Sequence, residues 1–521
     1  MSTGNLLKTQ MKQKLKDIFK GPVVFYPLLF AAFPILFLYA YNISETSASQ
    51  MWLPLGISVA VALVLWAVLS LILHSLAKAG LATAIFLVFF FSYGRLYDGL
   101  NYLGMFVPKH AYLFPITLFI WGYCVYFISR TKRDFRITTR MLNIAAVVLI
   151  AINLFNIGAY QVKLARLSDA TPEESPEQAA ATSPADLSTL PDIYFIILDG
   201  YAHPDTMREF YDYDNSEFSN SLEDKGFFIA SQSKIRTPFT AQIIAQVLNM
   251  EYLTPGWHWD TEIRKYVEHE SNVEYREAYI WNDMTYRKIA YSRAADFLKA
   301  QGYQYIAFGS AIGRARWQDY LEDNTHLYFN YFEEAATRWV SEFQEILWNT
   351  TMLRPFYYHL VGTQYENAWR RMTLHTLEHL KRLPDIEGPN FVFAHFSCPH
   401  VPFAFGPEGE YIASANWYNY EDKQFYLGQY IFISREIEKL VDALLRKSDI
   451  PPIIILQSDH GMRPHRLDLV IGPDEWRKIL NAMYLPGVDY AKLSPSISSV
   501  NTFRLIFNHY FGADYELLED N

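Results

Sequence analysis

"PDIYFIILDGY", residues 191–201, sets six apolar or aromatic residues, Ile193 to Leu198, between a proline and an Asp-Gly pair. A short unbroken apolar run ending in a turn signal reads as a strand covered on both faces, the kind found in parallel sheets. Three more stretches have this form: "YQYIAFGS" at 303–310, "NFVFAHFS" at 390–397 and "PPIIILQSD" at 451–459. Helical patterns lie between them, such as "NSEFSNSLEDKGF" (215–227) and "SRAADFLKAQGY" (292–303), each closing near a glycine that can end a helix. Strands alternating with helices predict an α/β domain, and such sheets gather ligands beyond the carboxyl ends of their strands. Asp199 stands at that point after the first strand, and Asp459-His460 after the last. Carboxylate oxygen and imidazole nitrogen are the usual donors to zinc and manganese, and adjacent residues at a strand end can both reach one ion.

With 521 residues the chain exceeds what one core usually holds, so further domains are expected. A formal charge of −10 argues against a nucleic-acid binder, which would carry a basic face. Its two cysteines are split between an apolar segment (Cys124) and the polar part (Cys398), which argues against an intrachain disulfide.

Residues 22–160 read as a transmembrane domain with five spans: Pro22–Tyr41, Trp52–Leu73, Leu81–Tyr93, Ala111–Ser129 and Met141–Tyr160. Lysines 8, 12, 14, 16 and 20 make residues 1–21 a basic arm, and Arg130, Lys132, Arg133, Arg136 and Arg140 follow the fourth span. Positive loops stay cytoplasmic, so an even number of passes separates the two clusters, and the short Leu81 segment must cross. Five spans put everything after Tyr160 on the non-cytoplasmic side. Apart from His74 at one end, the spans offer almost no ionisable group of the kind solute pathways use, so they read as an anchor. Residues 161–190, which include "LSDATPEESPEQAAATSPADLSTL", have the composition of a flexible linker to a domain at 191–521.

"RTPFTAQIIAQVLNMEYL", residues 236–253, opens with Thr237 and Pro238, an N-cap followed by proline at the first helical position. Ile243, Ile244, Val247 and Leu248 then recur at helical spacing, which puts Thr240 in the first turn. Backbone N–H groups and the helix dipole favour an anion there. Metal coordination can turn a threonine hydroxyl into a nucleophile, whereas simple capping needs nothing more than the two hydroxyls.

Together and in this order, Asp199, Thr240 and Asp459-His460-Gly461 resemble the alkaline-phosphatase and sulfatase-like superfamily. Pro238 and "VLNM" match the family's spacing about its nucleophile and select Thr240 over Thr237, while "SCPHVPF" (397–403) is similar to its His-Pro segment and nominates His400. A multi-span anchor before an outward-facing domain also looks like lipoteichoic acid synthase and the phosphoethanolamine transferases. The resemblance implies an α/β sandwich with a largely parallel central sheet and a divalent metal, zinc or manganese first, with magnesium or calcium as other options. It implies Asp199, Thr240, Asp459 and His460 as ligands, Thr240, His400 and His465 in catalysis, and Arg236 and Arg463 on the substrate. The implied reaction moves a phospho-group from a membrane lipid donor to an envelope glycan or lipid acceptor, at the plasma (inner) membrane with the domain periplasmic or extracellular. Hydrolysis of a phosphate or sulfate ester, or a non-catalytic role in envelope assembly, are the other readings. "TAQII" lacks the Pro and Arg of the Cys/Ser-x-Pro-x-Arg motif from which sulfatases make formylglycine, and "HFSCPH", with His395 and His400, lacks the acidic residue of two-metal pyrophosphatases.

Overall fold

The computed structural model describes residues 23–43, 46–102, 110–170, 189–237, 239–253, 285–309, 316–329, 342–357, 363–412, 422–462 and 473–520. The chain divides into two compact units, one made of residues 1–171 with 339–363, the other of 172–338 with 364–521.

The first unit is helical: α1 (Tyr26–Tyr41), α2 (Ser49–Leu73), α3 (Leu76–Tyr102), α4 (His110–Arg130) and α5 (Arg136–Ala170). Four of these, α2 to α5, are long and apolar enough to cross a membrane. The expectation of five such spans is corrected at α1, which has 16 residues. At about 1.5 Å per residue this reaches roughly 24 Å, short of a hydrocarbon core of about 30 Å. Its start is set by a proline in the first turn and by Asn143 of α5, whose Oδ1 accepts from the Tyr26 N–H at 3.1 Å. The Leu81 segment, the shortest in sequence, lies within the 27-residue α3. Helix α5 continues ten residues past Tyr160 to Ala170.

Successive helices alternate in direction. Lys78 Nζ, at the start of α3, donates to the carbonyls of Ser129 (3.1 Å) and Thr131 (2.8 Å) at the end of α4. Arg130, Lys132, Arg133, Arg136 and Arg140 therefore share one end of the bundle. At the opposite end Leu38, Tyr39, Ile43 and Met51 form a cluster with Ile157 and Tyr160 packed on it. Two short helices, α6 (Glu342–Thr350) and α7 (Arg354–Tyr357), also belong to this unit.

The second unit is built on seven strands: β1 (Ile193–Leu198), β2 (Phe228–Ile229), β3 (Gln304–Phe308), β4 (Leu327–Phe329), β5 (Asn390–Phe396), β6 (Ile453–Ser458) and β7 (Asn481–Tyr484). Their order is β2-β7-β6-β1-β5-β3-β4. Strands β6, β1, β5, β3 and β4 are mutually parallel, and β7 is antiparallel to β6 and to β2. Strand β1 lies between β5 and β6, and all six of its residues are buried, which is why its sequence does not alternate. Tyr194, Ile196 and Leu198 face one core with α8 (Pro204–Tyr211), α9 (Ser216–Asp224) and α10 (Lys423–Lys447). Ile193, Phe195 and Ile197 face the other, with α11 (Thr240–Asn249), α12 (Arg293–Ala300) and α13 (Thr502–Phe511). The result is the α/β domain that the strand pattern predicts, with the sandwich layers and largely parallel sheet that the resemblance implies.

Candidate metal centre and nucleophile

The register of the three central strands brings the acidic residues together. Leu198 pairs with Phe396 on β5 and with Ser458 on β6, so Asp199 and Asp459 emerge side by side at the carboxyl ends. Side chains alternate along a strand, so Asp199 shares a face with Ile197, and the β5 partner of Ile197 is His395. Beyond β5 the chain folds back: the Asp199 N–H donates to Phe396 O (2.9 Å) and the His400 N–H donates to Asp199 O (3.0 Å).

Each donor is aimed by its backbone neighbours. Asp459 Oδ1 accepts from the N–H groups of Gly200 (3.0 Å) and His460 (2.9 Å), while Oδ2 is buried without a hydrogen-bond partner. Gly200 makes its contact from φ +68°, a left-handed conformation that side chains other than glycine rarely adopt. Gly461 lets the next turn close, its N–H donating to Trp476 O at 2.7 Å; a Cβ there would stand 3.1 Å from Lys478 O and Trp476 Cα. His460 Nδ1 donates to Gly461 O (2.6 Å) and His400 Nδ1 to Val401 O (2.9 Å). Both rings thus keep Nε2 as the free donor atom, the arrangement that second-shell contacts give metal-binding histidines. His460 Nε2 lies 3.4 Å from Asp199 Oδ1 and 3.5 Å from Asp459 Oδ2; His395 Nε2 lies 3.8 Å from Asp199 Oδ2.

The loop that carries His400 is held by one side chain. Gln429, buried on α10, accepts from the N–H groups of Ala404 (2.8 Å) and Phe405 (3.2 Å), and its amide donates to the carbonyls of His400 (2.8 Å), Pro399 (3.1 Å) and Pro402 (3.3 Å).

Two donor groups result, Asp199–His400–His460 and Asp199–His395–Asp459, each with one ligand atom per residue within 4.8 Å of the others. Burial acts to raise the Asp199 carboxyl, but the surrounding imidazoles, His400 foremost, outweigh it and hold the group well below the usual carboxylate range. Burial also lowers His395, which favours the neutral, ligating ring. Buried carboxylate oxygens without donors are stabilised by positive charge among them, and the clustered oxygen and Nε2 atoms could hold a metal ion that supplies it. The oxygen and nitrogen set fits a divalent ion of the zinc or manganese kind.

The helix starts later than the Thr237-Pro238 pair suggests: Phe239 is the N-cap and Thr240 the first residue of α11, and the Thr240 hydroxyl has no hydrogen bond to a described residue. Thr237 Oγ1, by contrast, donates to Gln242 Oε1 at 2.7 Å. The chain leading to Thr240 passes the carboxyl end of β6: Lys234 bridges Lys478, and the Ile235 N–H donates to Arg477 O (3.0 Å), just before β7. Arg236 stacks on Tyr252, its guanidinium carbon 3.7 Å from the ring centre, and Nη2 donates to Glu519 O at 3.4 Å, so these contacts engage the C-terminal tail. Arg463 and His465 lie outside the described residues. His395, which the sequence leaves among several histidines near a strand end, is brought in by the β1–β5 register. No signal in the sequence singles it out: it is the penultimate residue of an apolar run, and only the pairing of β1 with β5 sets it beside Asp199.

No protein-family profile and no curated protein matches this chain. Solved structures similar to it include the C-terminal periplasmic domain of EptC from Escherichia coli in complex with zinc, at 9% identity over 62% of this chain and 84% of that one, with a TM-score of 0.39. Another is the soluble domain of lipooligosaccharide phosphoethanolamine transferase A from Neisseria meningitidis, at 10% identity over 63% and 89%, TM-score 0.37. The lipoteichoic acid synthase LtaP from Listeria monocytogenes matches at 11% identity over 64% and 77%, TM-score 0.35. Scores this low leave the chemistry of this chain to its own residues.

Proposed function

We propose that the chain is a membrane-anchored, metal-dependent phospho-group transferase or hydrolase that uses Thr240 as its nucleophile on phosphodiesters of lipid headgroups or envelope glycans. The carrying observation is the pair of carboxylates at adjacent strand ends, Asp199 and Asp459, each with a buried oxygen that has no hydrogen-bond donor. A bound divalent ion would supply Lewis acidity toward a phosphoryl oxygen and lower the pKa of a coordinated hydroxyl. Asp199, Asp459, His460 and His400 would hold it, with His395 completing the second donor group.

The other steps belong to the protein. The first turn of α11 presents the Thr240 hydroxyl where backbone N–H groups favour the phosphoryl anion. Thr240 Oγ1 gives its proton to water and bonds to phosphorus, and the bond to the departing alcohol oxygen breaks. His400 is committed to the donor group in this reading, so protonation of that oxygen falls to His465, with Arg463 or Arg236 neutralising charge. Transfer of the phospho-group to an acceptor hydroxyl, or to water, frees Thr240. The membrane unit supports a lipid donor, since α5, the last long apolar helix before the α/β unit in the sequence, ends at the bundle end opposite the basic cluster, the non-cytoplasmic end by the positive-inside rule.

Mass spectrometry of the purified protein after incubation with membrane lipids tests this reading. An adduct on Thr240 is expected, its mass naming the headgroup, and Thr240→Ala should lose both adduct and turnover. Undiminished turnover in that folded variant would overturn the assignment.

A further inference from the structure

Helices α6 and α7 come from sequence between β4 and β5, inside the α/β half of the chain, yet they pack within the helical unit. Phe343 is buried with Leu38, Tyr39 and Met51, and Met352 with Tyr93 and Leu113. The Met352 N–H donates to Phe90 O at 2.9 Å. Beside it the backbone of Asn349 and Thr350 crosses α3 at Gly94, where a Cβ would stand 2.8 Å from Thr350 Cα and closer still to Asn349 O. Arg354 locks the crossing: Nη1 donates to Gly94 O (3.1 Å) and Asp98 Oδ1 (2.8 Å), and the guanidinium lies 4.9 Å from the centre of the Tyr97 ring. A helix position without room for a side chain marks a built docking site.

The segment has a second apolar side. Ile346, Leu353 and Phe356 are 36%, 38% and 44% exposed. From Ile346 to Tyr357 the sequence "ILWNTTMLRPFY" carries one charge, Arg354, and Asp98 answers it. This apolar side continues the outer surface of the bundle, where Tyr112, Ile116 and Phe119 of α4 are exposed and Phe114 meets the Phe356 ring edge-on at 5.6 Å. Large apolar side chains displayed all along such helices are covered by lipid.

We infer that residues 342–357 are an interfacial membrane element, with the acyl boundary of the bilayer covering Ile346, Leu353 and Phe356 at the bundle end opposite the basic cluster. The α/β half of the chain thereby returns to the membrane a second time, in addition to its attachment through α5. Two attachments favour a surface-bound state through effective concentration, as two-signal anchors do.

The test uses the full chain in liposomes, with Cys124 and Cys398 replaced by alanine and a single environment-sensitive fluorophore on Phe356→Cys, Leu353→Cys or, as an aqueous control, Lys492→Cys. Labels at 353 and 356 should show blue-shifted emission, lose intensity with nitroxide lipids labelled at a shallow acyl position, and resist iodide in the water phase. The label at 492 should do the reverse. Gly94→Leu should shift the 356 label toward the behaviour of 492 while the bundle stays in the membrane. Iodide quenching at 353 and 356 equal to that at 492 overturns the inference. Protection from both quenchers also overturns it, since a protein partner would then be the cover.

Discussion

Asp459 divides its two oxygens between structure and ligand, and an isosteric change can separate the roles. In Asp459→Asn the amide oxygen still accepts from the Gly200 and His460 N–H groups, so the NH2 group must replace Oδ2. A donor then stands where an acceptor faced the His460 ring, and no metal bond can form on that side. Metal content by mass spectrometry should fall, and turnover should drop by about a hundredfold or more, with the far-ultraviolet spectrum unchanged. Retained metal and turnover would remove Asp459 from the site. Asp459 and His460 were legible in the sequence because the motif is contiguous and follows an apolar run. His395 was not, because its relation to Asp199 exists only once β1 and β5 are in register. His203 offers a test of a different kind. It caps α8 as a neutral ring, accepting at Nδ1 from the Asp205 N–H (3.2 Å), with Nε2 3.1 Å from Ser231 O as the donor. Burial lowers its pKa, so its stabilisation is present above the unfolded value near 6.5 and is lost as pH falls through the folded one. His203→Asn keeps a capping acceptor without titrating, so melting curves taken from pH 7.5 down to about 5.5 should fall less steeply for the variant than for the parent.

At the scale of elements, the loop between β5 and α10 shows how a helix positions a site it does not reach. Gln429 spends its whole amide on the backbone of residues 399–405, the segment that carries His400. Gln429→Leu preserves volume and removes every one of these bonds, leaving buried N–H and C=O groups unpaired at about 1–3 kcal/mol each where water cannot enter. The loop should then loosen while the sheet stays intact. Metal affinity, measured by competition with a chromophoric chelator, should weaken by about 10–100-fold, the range seen when outer-shell contacts to ligands are lost. A variant that lost stability but held metal as tightly as the parent would reduce Gln429 to a packing residue. The buried strands and the helices between them were legible here because apolar runs and glycine stops are local signals, whereas the strand order appears only in the folded sheet. The Gln429 network was not, since a glutamine on an amphipathic helix looks like a surface residue until its loop is in place.

The whole molecule separates two kinds of cohesion. The helical unit holds by close packing of apolar faces and, among the described residues, contains no donor group able to bind a metal ion. Its hydropathy made it plain in the sequence, but the return of 342–357 to it did not show, because Arg354 and Asp98 lie 256 residues apart. The α/β unit holds all the candidate ligands, so metal should stabilise that unit alone. An ion that binds only the folded state at a hundred times its dissociation constant adds about 2.7 kcal/mol, and removing it also exposes Asp199 and Asp459 to each other at adjacent strand ends. Two units of such different construction are expected to unfold in separate transitions, which calorimetry of the full chain in detergent can resolve. A chelator should lower the transition of the α/β unit and leave the helical one in place, and Asp199→Asn should make the protein insensitive to the chelator. If the chelator moves neither transition, the donor groups are a structural hydrogen-bonding arrangement and the metal-dependent reading fails. If it moves both equally, the metal stands but the units melt as one body.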